Sequence, residues 1–249
     1  ELIALNLRQS DLNAGKDIKS NFLEWNEVGH LNDLDLINFI KKKKINILID
    51  LAGYTNLNRI LVIKNKAAPV QVSWLGYCNT SGLKEMDYII IDPHLVKKNE
   101  VVDYVEKLIF MPNIWNASQK LSSQLKVNEL PAIKKNVITF GSFNNFQKIS
   151  DDVIKVWSKI INKTNSRLIL KTSVFQSSDM KKNILNKFKN ENVDEKKIIF
   201  YKKTLLKSDH LKLYNNIDLA LDTFPYPGVT TSFEAAWMGV PVLTMKGNN

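Results

Sequence analysis

DLALDTFPYPGVTTSFEAAWMGVPVLTM, residues 218–245, holds an apolar strand (218–222), a loop, a helix near 231–238 and a second strand (241–245) in that order. Pro225 and Pro227 stiffen the loop, and Gly228 lets the backbone turn closely. Working towards the N-terminus, the same alternation recurs. VITFGSF (137–143) leads to a helix from Ser150 to about Asn162, RLILK (167–171) to one near 178–190, and KIIFY (197–201) to one near 208–216. This repeated strand–helix order predicts a doubly wound α/β domain. Its ligand site is expected beyond the carboxyl ends of the strands.

An earlier set has the same character. A helical pattern over 33–44 runs into NILIDLA (46–52), and a helix over about 56–66 runs into VQVSWLG (70–76). DYIII (87–91) and KLIFM (107–111) follow. Strands this continuously apolar suit a parallel sheet covered on both faces. From Pro112 to Lys135 the periodicity fades. The expected organisation is therefore a first Rossmann-like domain over 1–112, a linker over 113–135 and a second Rossmann-like domain over 136–249. No internal repeat of 20–50 residues is visible. The strand-like opening ELIALNL lacks a start Met, and the closing TMKGNN follows directly on a strand, so both ends are expected to be cut from a longer protein.

Composition narrows the function. With 44% hydrophobic and 24% charged residues, the chain resembles an ordinary globular protein. No apolar run approaches the roughly 18 residues of a membrane span. Cys78 is the single cysteine, which excludes an internal disulfide and suggests the cytoplasm. His30, His94 and His210 lie far apart and have no metal-ligand spacing with Cys78. The net charge of +10 comes almost wholly from lysine, since arginine occurs only at Arg8, Arg59 and Arg167. Solvated helix faces explain that charge better than a nucleic-acid footprint, which favours arginine. Neither GxGxxG nor a P-loop follows a strand, so dinucleotide oxidoreductase and P-loop chemistry lose support. Asp151-Asp152 suits a helix N-terminus better than a metal, and no metal is expected.

Three loops after strands of the second set carry candidate chemistry. In Asn144-Asn145-Phe146-Gln147-Lys148, Lys148 stands just before a helix that Ser150 would cap. It reads either as a phosphate-holding ammonium or as a solvated loop lysine. In the loop at 207–210, Ser208 or Asp209 would cap a helix. That leaves Lys207 facing the sheet end and His210 in the first turn, where it could stack on a planar base or be a half-exposed histidine with no partner. In the loop at 222–231, Thr230 and Thr231 would meet a diphosphate at a helix start. Glu234 would either accept ribose hydroxyls or close a capping box through Thr231-x-x-Glu234.

The segments DLAGYTNLNR (50–59), APVQVSWLGY (68–77), MDYIIID (86–92), ITFGSFNNFQKIS (138–150) and LALDTFPYPGVTTSFEAAWMGVPVLT (219–244) resemble the catalytic region of the protein O-GlcNAc transferase and SPINDLY family. The match runs from about Asp35 onward. It implies a GT-B fold, in which two Rossmann-like domains face a cleft. It also implies inverting, metal-independent transfer of GlcNAc from UDP-GlcNAc to Ser or Thr hydroxyls of proteins. By resemblance, Lys148 neutralises the leaving diphosphate, with Asn145 beside it. Lys207 and His210 meet the ribose and uracil, Thr230 and Thr231 the diphosphate, and Glu234 the ribose. Gly53, Tyr54, Thr55, Leu75 and Gly76 lie on the sugar and acceptor side.

The chain departs from animal members of the family at Val229 and Asn46, where they carry histidine, and at Gly76-Tyr77-Cys78-Asn79. The resemblance therefore assigns no general base. Two other readings stay open: transfer from another donor such as GDP-fucose, and a nucleotide-binding module without turnover. The partners implied are a nucleotide sugar and a protein acceptor, with a helical-repeat region outside this chain, and neither nucleic acid nor membrane.

Overall fold

The computed structural model describes residues 1–8, 16–117, 121 and 125–247. The chain forms two compact units that divide after Ala117. The first unit runs β1 (Ile3–Asn6), α1 (Lys16–Lys19), β2 (Glu24–Glu27), α2 (Asp33–Lys42), β3 (Ile47–Asp50), α3 (Ile60–Lys64), β4 (Val70–Ser73), β5 (Tyr88–Ile91) and β6 (Lys107–Phe110). β1 and β2 pair as a parallel ribbon, while β3 to β6 form a parallel sheet in chain order. α2 starts where Asn32 Oδ1 accepts from the Asp35 N–H at 2.9 Å. It buries Leu36, Ile37 and Ile40, one stripe at helical spacing, against Val62, Ala67 and Ala68.

α3 is shorter than the expected 56–66. Thr55 Oγ1 donates to the Ala52 carbonyl at 2.6 Å and Asn58 Nδ2 to the Thr55 carbonyl at 2.9 Å. Such local bonds give the backbone an alternative to helix. Leu57 adopts φ 64 within the resulting turn. The helix begins only after Arg59, whose guanidinium donates to Asp33 at 2.8 Å and to the Leu31 carbonyl at 2.9 Å.

The second unit runs α4 (Pro131–Lys135), β7 (Thr139–Ser142), α5 (Asp151–Thr164), β8 (Arg167–Lys171), α6 (Ser178–Asn190), β9 (Ile198–Tyr201), α7 (Lys207–Lys212), β10 (Leu219–Leu221), α8 (Thr230–Trp237) and β11 (Val242–Leu243). α4 falls inside the stretch expected to be linker. Proline stands at its first position, where the missing N–H costs nothing, and Asn136 ends it in left-handed geometry. Asp218 ties it to the sheet by accepting from the Ala132 and Thr139 N–H groups, each at 2.8 Å.

The five strands are parallel in the order β11-β10-β7-β8-β9. In β8, Leu168 and Leu170 pack with Trp157 and Ile161 of α5 and Phe188 of α6, while Ile169 packs on the other face with Tyr214, Ala235 and Met238. Both faces are covered, which is why RLILK reads as a continuous apolar run. Each such side chain contributes about 1.5–3 kcal/mol by leaving water. From β7 the chain moves outward to β8 and β9, then returns to place β10 on β7's other side. The crevice between the carboxyl ends of β7 and β10 is the topological switch point, where open α/β sheets hold their ligands.

Candidate functional site

Asp222, the residue after β10, organises that crevice. Its Oδ1 accepts from Asn144 Nδ2 at 3.2 Å, the Thr223 N–H at 2.8 Å and the Gly228 N–H at 2.7 Å. Asn144 Oδ1 in turn accepts from Thr231 Oγ1 at 2.9 Å. A Cβ on Gly228 would lie 2.5 Å from Thr231 Oγ1 and 2.7 Å from Asn144 Oδ1, so the close approach of the two loops needs glycine there. A small hollow remains, lined by Ser142, Asn144, Tyr214, Asp222, Thr231 and Ser232.

α8 opens at this hollow without a cap. Val229 holds the N-cap position and makes no side-chain bond, and no acid occupies the first turn. The Thr231 hydroxyl is turned to Asn144. Among the described residues, the Thr230 and Thr231 N–H groups have no hydrogen-bond partner. The capping box between Thr231 and Glu234 does not form, because the Glu234 carboxylate lies in a different network. α5 is the opposite case: Ser150 Oγ accepts from the Val153 N–H at 3.3 Å, as its sequence position predicts.

Lys148 ends a short 3-10 turn, Phe146–Lys148. Its Nζ donates to the Pro227 carbonyl at 2.8 Å and stands 4.4 Å from the centroid of the Tyr226 ring. It therefore spans from the loop after β7 to the loop before α8. Burial lowers its pKa, and the Asp222 carboxylate opposes that shift. Asn145 Oδ1 is occupied locally, accepting from the Gln147 N–H at 3.1 Å.

Glu234 is 3% exposed and gathers the other candidates. Oε1 is ion-paired with Lys207 Nζ, while Oε2 lies 2.8 Å from His210 Nε2 and accepts from the Tyr214 hydroxyl at 3.2 Å. Burial alone would raise its pKa. The bonds from His210 and Lys207 outweigh burial and hold it down to about 2. Burial and the same carboxylate push the Tyr214 phenol up. α7 begins two or three residues earlier than its polar residues suggest. Leu206 is the N-cap, with no side-chain bond, and Lys207 is the first helical residue, its ammonium turned to Glu234. His210 is neither half-exposed nor partnerless. Its side chain is 16% exposed, and its ring lies beside those of Phe143 and Tyr214, with centroids 5.8 and 5.6 Å away.

In the first unit, the loops after β3 and β4 meet. Asp50 accepts from the Ala52 and Gly53 N–H groups, each at 3.0 Å. The Tyr54 hydroxyl donates to the Ser81 carbonyl, and its ring meets Tyr77 edge-on at 5.4 Å. Leu75 adopts φ 71. A Cβ on Gly76 would collide with the backbone of Leu51 and Ala52, so glycine is required where the loops touch. Buried Glu106 fixes the far side by accepting from the Ser81 N–H and Thr80 Oγ1, each at 2.7 Å.

The sequence profile of glycosyl transferase family 41 matches residues 20–130 and 120–249. The chain belongs to this family. It is 34% identical over 225 residues to the probable UDP-N-acetylglucosamine–peptide N-acetylglucosaminyltransferase SPINDLY of Solanum lycopersicum, covering 90% of this chain and 24% of the relative. The protein of the same name in Arabidopsis thaliana is 33% identical over 225 residues, with 90% and 25% covered. The chain thus spans about a quarter of the length of these curated relatives. Among solved structures, an O-GlcNAc transferase mutant of Thermobaculum terrenum superposes with a TM-score of 0.89 at 29% identity. That match covers all of this chain and 47% of the other. The fold of this family 41 chain is GT-B, built from two Rossmann-like units.

Three members of the site in this family 41 chain carry weak sequence signals. Lys171 is a charge ending an otherwise apolar strand, which places it at the sheet's ligand edge; its Nζ lies 2.7 Å from His210 Nδ1. Tyr214 follows His210 by four residues, the spacing of one helix face. Asp222 ends a strand in the quoted loop, but nothing in its spacing shows that it holds three partners. Among the described residues, no three His, Cys, Asp or Glu side chains cluster as metal ligands, and no helix is long and apolar enough to cross a membrane.

Proposed function

We propose that this chain supplies the sugar-donor site of a protein glycosyltransferase. The enzyme would transfer N-acetylglucosamine from UDP-GlcNAc to Ser or Thr hydroxyls with inversion and without a metal. The observation that carries this reading is the bare start of α8, towards which Lys148 reaches from the neighbouring loop. Uncapped N–H groups, the positive helix end and an ammonium together make a site for a diphosphate. The relatives' names supply the donor sugar and the peptide acceptor.

In the reaction, the acceptor hydroxyl oxygen attacks C1 of the sugar and gives up its proton to a general base that is not among the assigned residues. The bond from C1 to the diphosphate oxygen breaks, and its electron pair leaves with the diphosphate. Charge therefore grows where Lys148 and the Thr230 and Thr231 N–H groups stand, and these donors stabilise it most in the transition state. This leaves no need for a bound cation. Asn145 Oδ1 is held by the Gln147 N–H, which leaves Nδ2 as the group that would donate to the phosphates. His210, Lys207 and Glu234 suit the nucleoside, as planar ring, cation and hydroxyl acceptor. Gly53, Tyr54, Thr55, Leu75 and Gly76 are assigned to the sugar and acceptor side. We place the reaction in the cytoplasm, consistent with a single cysteine, and assign no role to nucleic acid.

UDP binding to the purified protein tests this reading. UDP should raise thermal stability with EDTA present, by about 2.7 kcal/mol at a hundredfold excess over Kd. A shift that required Mg²⁺, or appeared with GDP and not UDP, would overturn the donor assignment.

A further inference from the structure

Lys171 is 9% exposed at the end of β8. Among the described residues, no carboxylate lies within 4.0 Å of its ammonium; its hydrogen-bond partner is His210 Nδ1, at 2.7 Å. An ammonium has three donors and no acceptor, so the facing nitrogen must offer a lone pair. The other ring nitrogen, Nε2, faces Glu234 Oε2 at 2.8 Å. An ionised carboxylate only accepts, so this nitrogen must carry hydrogen. The two neighbours select the same arrangement from opposite edges of the ring. Turning the ring over would put carbon against both of them.

We infer that Lys171 is a positioning residue that holds His210 as the neutral Nε2–H tautomer with its ring plane fixed against Glu234. The groups facing His210 are Lys171 from β8, Glu234 from α8, Lys207 on its own helix and Tyr214 from the turn after α7, with the Phe143 ring alongside. Lys171 keeps a second proton off Nδ1, because an N–H there would point at an ammonium. Burial lowers the Lys171 pKa, Glu234 counters that shift, and Lys207 and Lys203 add to it.

A consequence for the ligand rests on the donor-site reading above. A nucleoside base would meet an uncharged imidazole face. His210 and Tyr214 would keep Glu234 Oε2, leaving Oε1 for a ribose hydroxyl. Lys207, whose side chain is 55% exposed, is the partner that would give way.

The test is ¹⁵N-resolved NMR of the imidazole nitrogens at pH 7 in the unliganded protein. His210 is assigned by the resonances lost in His210→Gln and thereby distinguished from His30 and His94. The wild type should show one protonated nitrogen, Nε2, and one bare nitrogen, Nδ1. Lys171→Met should lose the bare-nitrogen signal as His210 becomes imidazolium, and Lys171→Arg should keep it. An imidazolium in the wild type, an Nδ1–H tautomer, or an unchanged spectrum in folded Lys171→Met would each overturn the inference. The wild-type spectrum decides even if Lys171→Met fails to fold. UDP is then added to the wild type. The expected tautomer with no response to UDP would uphold the role of Lys171 and sink the nucleotide assignment instead.

Discussion

The two helices that follow the strands flanking the switch point begin in opposite ways. α5 is closed: Ser150 takes the Val153 N–H, and Asp151 and Asp152 fill its first turn, with Asp151 paired to Lys187 at 2.6 Å. α8 is open: Val229 offers no cap, the Thr231 hydroxyl is turned aside, and the acid three residues on points elsewhere. A helix start can attract an anion only with donors and dipole that its own side chains have not already satisfied. By that standard α5 is spent and α8 is available. Lys148 sits in sequence beside α5, yet its ammonium reaches the loop that feeds α8. Proximity in sequence assigns this lysine to the wrong helix, and the hydrogen bonds assign it to the right one.

The largest effect expected from this difference belongs to Lys148. On the proposed function, Lys148→Ala should cut turnover by about a hundred- to a thousandfold, the usual cost of removing one preorganised charge partner. Binding of intact donor should weaken much less, because charge grows only as the glycosidic bond breaks. Steady-state kinetics beside donor binding by calorimetry measure both. Near-normal turnover would make Lys148 a brace between two loops and nothing more.

Glu234 tests the same contrast through stability. Its folded pKa of about 2 lies below the ordinary carboxyl value of 4.5. The group therefore contributes stability above pH 4.5, and that contribution is lost as pH falls from 4.5 towards 2. The shift corresponds to about 3 kcal/mol at most. Glu234→Gln should destabilise the protein at pH 7 by up to that amount and flatten the loss of stability between pH 5 and 3. Urea unfolding across that range measures it. An acid merely capping α8 at an exposed helix start would leave a far shallower profile.

Closing the open helix should separate stability from binding. Val229→Asp places an acceptor at the empty N-cap, and a good cap is worth about 0.5–2 kcal/mol. The variant should melt higher and bind UDP at least about tenfold more weakly, since like charge now faces the diphosphate. A rise in both would mean that the nucleotide does not use this helix start.

Much of this architecture is legible in the sequence because burial on two faces writes itself as apolar runs. RLILK marks β8, and the apolar spacing over 178–190 marks α6. β2, with the sequence EWNE, escapes because its residues are partly exposed and polar. α3 is shortened by Thr55 and Asn58 bonding to the backbone, a competition that periodicity does not register. In the site, the loops were readable as loops at strand ends. The partner of Glu234 was not, since Thr231-x-x-Glu234 spaces a capping box and a sheet-edge network equally well. Choosing between them takes the positions of Lys207 and His210, 27 and 24 residues away.

The smallest effect concerns the closed helix. Ser150→Ala removes the acceptor for the Val153 N–H and should cost about 1 kcal/mol of stability. Asp151 and Asp152 remain in the first turn and still oppose any anion there, so UDP affinity should stay within about twofold of the wild type. Thermal unfolding and calorimetry on the same sample compare the two quantities. The variant is informative because it frees a donor beside Lys148 without touching α8. If UDP bound appreciably more tightly to Ser150→Ala, the freed N–H of α5 would be reaching the phosphates. The division of labour between the two helix starts would then be wrong. If stability falls and affinity holds, α5 carries the fold at this crevice and α8 carries the ligand.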